Sequence, residues 1–232
     1  MKYKQASLLT TAFLTAAMVS GCALPPVQDT EKEVRTSGSD LQINCSTNMT
    51  PEHRVELDAI DSMMNASENY AALARLEALS FQTQQHWLRW AQLLAKVEQL
   101  DYSEDVYQQI AETCDSAQAY HGLGVVYVKG GKIEEGLKAL GTAKAKEPAS
   151  ADMRNDFGVV LMQGGFFGQA AFELRTAYEL SGKKETVGRN MIAAYYLQGG
   201  DDSVAKLQRE LGLSNEAVSA GIKFSERFSG GV

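Results

Sequence analysis

The stretch Gly122-Leu123-Gly124, followed by Gly130-Gly131-Lys132, carries the residue types of a phosphate cradle. Glycines let backbone N–H groups approach a phosphate, and a lysine would meet its charge. The spacing fails on inspection. A Walker loop needs a glycine four residues ahead of its Gly-Lys pair and a Ser or Thr after it. Val126 and Ile133 stand in those places. The dinucleotide fingerprint fails as well, because there is no third glycine and no strand precedes Gly122. His53, His86 and His121 sit in no HExxH or other close metal-ligand spacing and read as surface or groove residues. No serine occupies a G-x-S-x-G elbow, and Cys45 and Cys114 lack C-x-x-C spacing. These residues therefore define no enzyme, no metal site and no cofactor.

One thiol has a different chemistry. Lys2 and Lys4 give a positive start, and "ASLLTTAFLTAAMV" then runs apolar or small to Val19. This is the layout of a secretory signal, too short for a spanning helix of ~20 apolar residues. It ends in Val19-Ser20-Gly21-Cys22, which resembles the lipobox of bacterial lipoproteins. The resemblance implies that residues 1–21 are removed and that Cys22 is lipidated. Several acyl chains at one terminus give stable anchoring, where one chain is marginal. Ala23 follows the cysteine, which by the sorting rules of that class implies the outer membrane, with the protein facing the periplasm. Loss of residues 1–21 would take the formal charge from −7 to about −9. Such a chain, with no basic block, is a poor nucleic-acid binder. Residues 22–49 read as the lipidated N-terminus and a tether, since "PPVQDTEKEVRTSGSD" holds few large apolar groups. Cys45 and Cys114 remain as an even pair in an oxidising compartment, which invites a disulfide. A bridge would close about 70 residues, worth roughly 4 kcal/mol in the loop-entropy model. The alternative is two buried free thiols.

The elements that position these residues come from periodicity. Body prolines are confined to Pro51 and Pro148, and no alternating run argues for a strand. Gly130-Gly131, Gly164-Gly165 and Gly199-Gly200 recur 34 and 35 residues apart. Around them the chain repeats: Leu123 matches Phe157, Gly124 matches Gly158, Leu140 matches Leu174 and Ala143 matches Ala177. A third copy keeps Ile192, Ala193, Tyr196 and Ala205. Tyr120, Leu123 and Tyr127 would form one apolar face of a helix. A small residue at the eighth position, Gly124, Gly158 or Ala193, would let two helices cross closely. Trp87 and Trp90 read as core.

The pattern resembles the tetratricopeptide repeat, a 34-residue helix-turn-helix. Residues 117–150 match nearly every signature position, with Gly136 where the family usually has alanine. The resemblance implies an all-α, right-handed superhelical solenoid of about four to five repeats over 51–212. Its clearest copies are 117–150, 151–185 and 186–212, with a capping helix over 213–228. Partners of this family bind on the face lined by the first helix of each repeat. Carried over position by position, that face holds Gln118, His121, Val125, Val128 and Lys129 in one copy. The next supplies Asp152, Asn155, Val159, Met162 and Gln163. The third supplies Val187, Asn190, Ala194, Leu197 and Gln198. The fifth-position row His121, Asn155, Asn190 could hold a peptide backbone, because asparagine both donates and accepts.

The whole layout, from lipobox through degenerate first repeats to "RNDFGVVLMQGGFFGQAAFELRTAYEL" and "GRNMIAAYYLQGGD", resembles the TadD family. These are the tetratricopeptide lipoproteins of the Tad (tight adherence) Flp-pilus system. The resemblance implies a non-catalytic scaffold that supports the outer-membrane secretin, with secretin or other pilus-assembly proteins as partners. It implies no nucleic acid and no small-molecule substrate. The alternatives are a type IV pilus secretin pilotin and a periplasmic regulator that docks onto a cell-wall enzyme.

Overall fold

The computed structural model describes residues 41–228. The signal segment 1–21, Cys22 and residues 23–40 lie outside the described residues. Ten α-helices follow in antiparallel pairs, with no strand among the described residues. The first hairpin is α1 (Pro51–Asn65) with α2 (Asn69–Glu77), and the second is α3 (Gln84–Lys96) with α4 (Leu100–Cys114). Then come α5 (Ala117–Lys129) with α6 (Ile133–Lys146), and α7 (Ala151–Gln163) with α8 (Phe167–Leu180). Next is α9 (Glu185–Leu211), which breaks at Gly199 and Gly200 into a further hairpin of 185–198 and 201–211. Helix α10 (Asn215–Ser225) and a 3-10 turn (Glu226–Phe228) close the described chain. No helix among the described residues is long and apolar enough to cross a membrane.

Local chemistry sets the boundaries. Thr50 accepts from His53 N at the start of α1, with Pro51 as the first helical residue. Ser116, Ser150 and Ser214 cap α5, α7 and α10 in the same way, accepting from Ala119, Met153 and Ala217 N. The second glycine of each repeat turn is left-handed, with φ of 81° at Gly131, 78° at Gly165 and 61° at Gly200. Glu98 takes that place in the α3–α4 turn at φ 64°. A side chain there costs about 1 kcal/mol or more, and the missing glycine is why this repeat is hard to align by sequence. The eighth positions are crossings of minimal clearance. A Cβ on Gly124 would stand 2.6 Å from Leu140 Cγ, and one on Gly158 would stand 2.5 Å from Leu174 Cγ. Gly136 has its own reason, since a Cβ there would meet Val128 Cγ2 at 2.5 Å.

The core falls into two apolar clusters. One runs from Leu57 through Trp87 and Trp90 to Val126 and Ala139. The other runs from Leu161 through Leu174 and Ile192 to Leu207. Ala117, Ala143 and Met153 form a small cluster of their own. An ion triad links α6, α7 and α8: Glu173, 6% exposed, accepts from Lys144 Nζ at 2.7 Å and from Arg154 Nη1.

Two expectations change here. The tether is shorter than 22–49, because residues 41–49 are docked. Leu41, Ile43 and Met49 pack on the first cluster, Gln84 N donates to Ser46 O at 2.9 Å, and Leu41 N donates to Gln109 Oε1. Cys45 and Cys114 are bridged, with Cα atoms 5.3 Å apart, so this segment is stapled to the last turn of α4. The second change is His86, read as a surface or groove residue and found fully buried. Thr83 Oγ1 lies 2.8 Å from its Nδ1 and the His53 ring packs edge-on at 5.2 Å. Burial and the nearby His53 push the His86 pKa down.

Candidate protein-binding groove

Helices α5, α7 and the first half of α9 bring the predicted row together. His121 Nε2 pairs with Asp156 Oδ2 at 2.8 Å, and Asn155 Nδ2 donates to Asp156 Oδ1 at 3.1 Å. Asn190 Nδ2 donates to Asn155 Oδ1 at 2.9 Å, and Arg189 Nη2 reaches Asn190 Oδ1 at 3.4 Å. A continuous side-chain ladder thus crosses three repeats. Asp156, the sixth position, was missed by the sequence reading, yet it is the joint of the ladder. Its signal was present in sequence as a carboxylate one repeat from a histidine.

The ladder changes what the row can do. Asn190 is 7% exposed and its amide is already committed to Asn155. It holds helices together and is not free to grip a peptide. Met162 is corrected too: it is 1% exposed and part of the second apolar cluster. Val187 and Ala194 are likewise buried there, where Ala217, Val218, Ile222 and Phe228 pack against the same cluster. The inner face is therefore covered along α9, where only Gln198 among its predicted positions is exposed.

Along α5 and α7 the face is open. Val125 is 43% exposed, Asp152 and Gln163 are exposed, and Asn155 and Val159 are half-buried. Gln118, also exposed, donates from Nε2 to Glu147 Oε1 at 2.9 Å. Lys129 Nζ donates to Ala95 O at 2.7 Å and to Glu98 Oε1 at 2.8 Å, so it ties α5 to the preceding turn. The open surface is thus a valine pair between short polar side chains, with its cation and histidine already partnered. It can bury an apolar side chain and offer hydrogen bonds, and it presents no nucleophile with a base. Among the described residues no group of three or more His, Cys, Asp or Glu is placed to hold a metal ion.

These features define a fold class: stacked helical hairpins with glycine turns, small crossing residues and an inner face lined by first helices make an all-α solenoid of the tetratricopeptide-repeat type. The particular likenesses are these. The chain is 28% identical over 207 residues to the TPR repeat-containing protein PA4299 of Pseudomonas aeruginosa, covering 89% of this chain and 80% of that one. No protein-family model matches the chain. Its fold is similar to that of MamA from Desulfovibrio magneticus RS-1, at TM-score 0.54 and 13% identity, covering 78% of this chain and 98% of that one. It is also similar to YrrB, described as a TPR protein with an unusual peptide-binding site, at TM-score 0.50 and 16% identity, covering 71% and 81%.

Proposed function

We propose that the chain is a non-catalytic scaffold, lipid-anchored at Cys22 in the outer membrane and facing the periplasm. It binds a segment of a partner protein across α5 and α7 and supports Tad/Flp pilus assembly at the secretin, as its resemblance to TadD implies. One observation carries the binding reading. The inner positions are open on α5 and α7 while the equivalent positions on α9 are covered, so an accessible apolar strip with polar borders lies in the middle of the array. The peptide-binding site of YrrB supports the mode of action, and the signal and lipobox support the compartment.

The test is a pull-down from detergent-solubilised outer membrane with the full chain, next to Val125→Glu and Val159→Lys variants. The expected result is capture of a secretin or pilus component by the parent chain and its loss in both variants, with melting temperatures within a few degrees. Capture of a cell-wall enzyme, or undiminished capture by both variants, would overturn the assignment.

A further inference from the structure

Charge is unevenly paired in this molecule. Several cations along the repeats have carboxylate partners: Arg89 with Asp61, Lys132 with Glu104, Lys146 with Asp115 and Arg175 with Glu210. Lys129, Lys144 and Arg154 are paired as well. Arg189, Lys223 and Arg227 enter no ion pair among the described residues, and they are clustered. Arg189 Cζ lies 4.3 Å from the centroid of the Phe224 ring, and Arg227 Cζ lies 5.1 Å from the same centroid. Both guanidiniums lean on one ring, so they sit within roughly a Debye length, ~8–10 Å, of each other. Lys223 lines the same recess, a shallow hollow of about 440 Å³ with Ala220 and a single acid, Glu226.

Arg189 is also short of acceptors. Its Nε is buried with no hydrogen-bond partner, and its best contact is the 3.4 Å bond from Nη2 to Asn190. A guanidinium has five N–H donors and no acceptor, and its planar fork matches a carboxylate. Three adjacent cations with one acid repel one another, in a chain whose formal net charge is −7. The local excess is small. It suits one or two carboxylates and falls short of the clustered charge that a phosphate backbone demands. The aromatic floor gives an adjoining apolar side chain something to rest on.

We propose that the recess formed by Arg189, Lys223, Phe224 and Arg227 binds an acidic segment of a partner protein through its side-chain carboxylates. It is a second docking point, set on the C-terminal helix, and it does not rest on the reading of the α5–α7 strip. The probe is a fluorescein-labelled Gly-Ser peptide carrying three glutamates, with a glutamine counterpart, titrated by anisotropy against the purified full chain. The glutamate peptide is expected to bind at least tenfold tighter than the glutamine one and to weaken between about 50 and 300 mM salt. Lys223→Gln with Arg227→Gln, both exposed positions, should cost tenfold or more in affinity. Arg189→Lys, which keeps the charge but loses the fork, should weaken binding severalfold. Val125→Glu should leave it unchanged, which separates this site from the groove. Equal binding of both peptides, or a double variant that binds as well as the parent, would sink the proposal. So would charge-dependent binding of phosphatidylglycerol vesicles abolished by the same double variant, since the ligand would then be lipid. Removal of residues 229–232 should leave peptide affinity unchanged. A tenfold rise would make the chain's own terminal carboxylate the occupant and overturn the partner assignment.

Discussion

A methyl group added at Gly158 would stand 2.5 Å from Leu174 Cγ, inside any normal carbon–carbon contact. Alanine at this helical position gains about 1 kcal/mol of propensity, but overpacking a closed crossing costs ~1–3 kcal/mol. Gly158→Ala should therefore destabilise the protein by up to about 2 kcal/mol, read as a lower urea midpoint with an unchanged slope. An unchanged or higher midpoint would mean that the helices part at no cost. His86 makes a prediction of opposite character. Its folded pKa lies below the ordinary value of 6.5, because burial and His53 disfavour the charged ring, while Glu56, with Oε2 3.7 Å from Nε2, pulls the other way. Between the folded and unfolded pKa values the unfolded chain binds more protons, so stability falls as pH drops below about 6.5. Thermal melts from pH 7.5 to 5 should show this fall, and His86→Gln should flatten it; a parent curve without slope would refute the assignment. The burial of His86 was not legible in sequence. It stands three residues after Thr83, but only the fold shows that this threonine is 1% exposed and bonded to the ring.

At the scale of elements, the disulfide and the Glu173 triad connect parts that the apolar core joins only thinly. Replacing Cys45 and Cys114 by serine removes a constraint spanning 69 positions and should cost about 2–4 kcal/mol, with faster amide exchange over residues 41–49. If exchange stays slow, Leu41, Ile43 and Met49 hold the segment without the bond. Glu173→Gln leaves Lys144 and Arg154 without their carboxylate. Breaking a buried pair costs up to 3–5 kcal/mol, and the partial exposure of both cations lowers that to about 2–3 kcal/mol. Because the two large clusters have little apolar bridge between them, calorimetry of this variant should show two transitions where the parent shows one. The hairpins from α5 onward were legible because glycine spacing and crossing residues repeat. The α3–α4 hairpin was readable as helices but not in register, since Glu98 replaces the turn glycine. The docked segment 41–49 was misread as tether because its three apolar residues carry no periodicity; they become an anchor only when a distant helix supplies the surface.

For the whole molecule, the inner face was legible as a list of positions and not as a surface. The third copy's positions obey the same pattern as the others, but Val218, Ile222 and Phe228 pack against the cluster that holds them, and no periodic signal reports such a lid. Stability in stacked hairpins sums over neighbours, so damage should stay local. Val125→Glu should weaken partner capture while leaving amide protection in α8 to α10 as it was. The disulfide has a mechanical meaning as well. A pull on residue 41 travels four positions to Cys45 and then crosses to Cys114 in the last turn of α4. Helices α1, α2, α3 and most of α4 hang in a closed loop off that line of force. An optical trap pulling the oxidised chain from its ends should release a contour shorter by roughly 240 Å than the reduced chain, at ~3.5 Å for each of the 69 positions bypassed. Any load arriving through the N-terminus thus enters the array next to α5, the first helix of the open strip, and leaves the N-terminal hairpins slack.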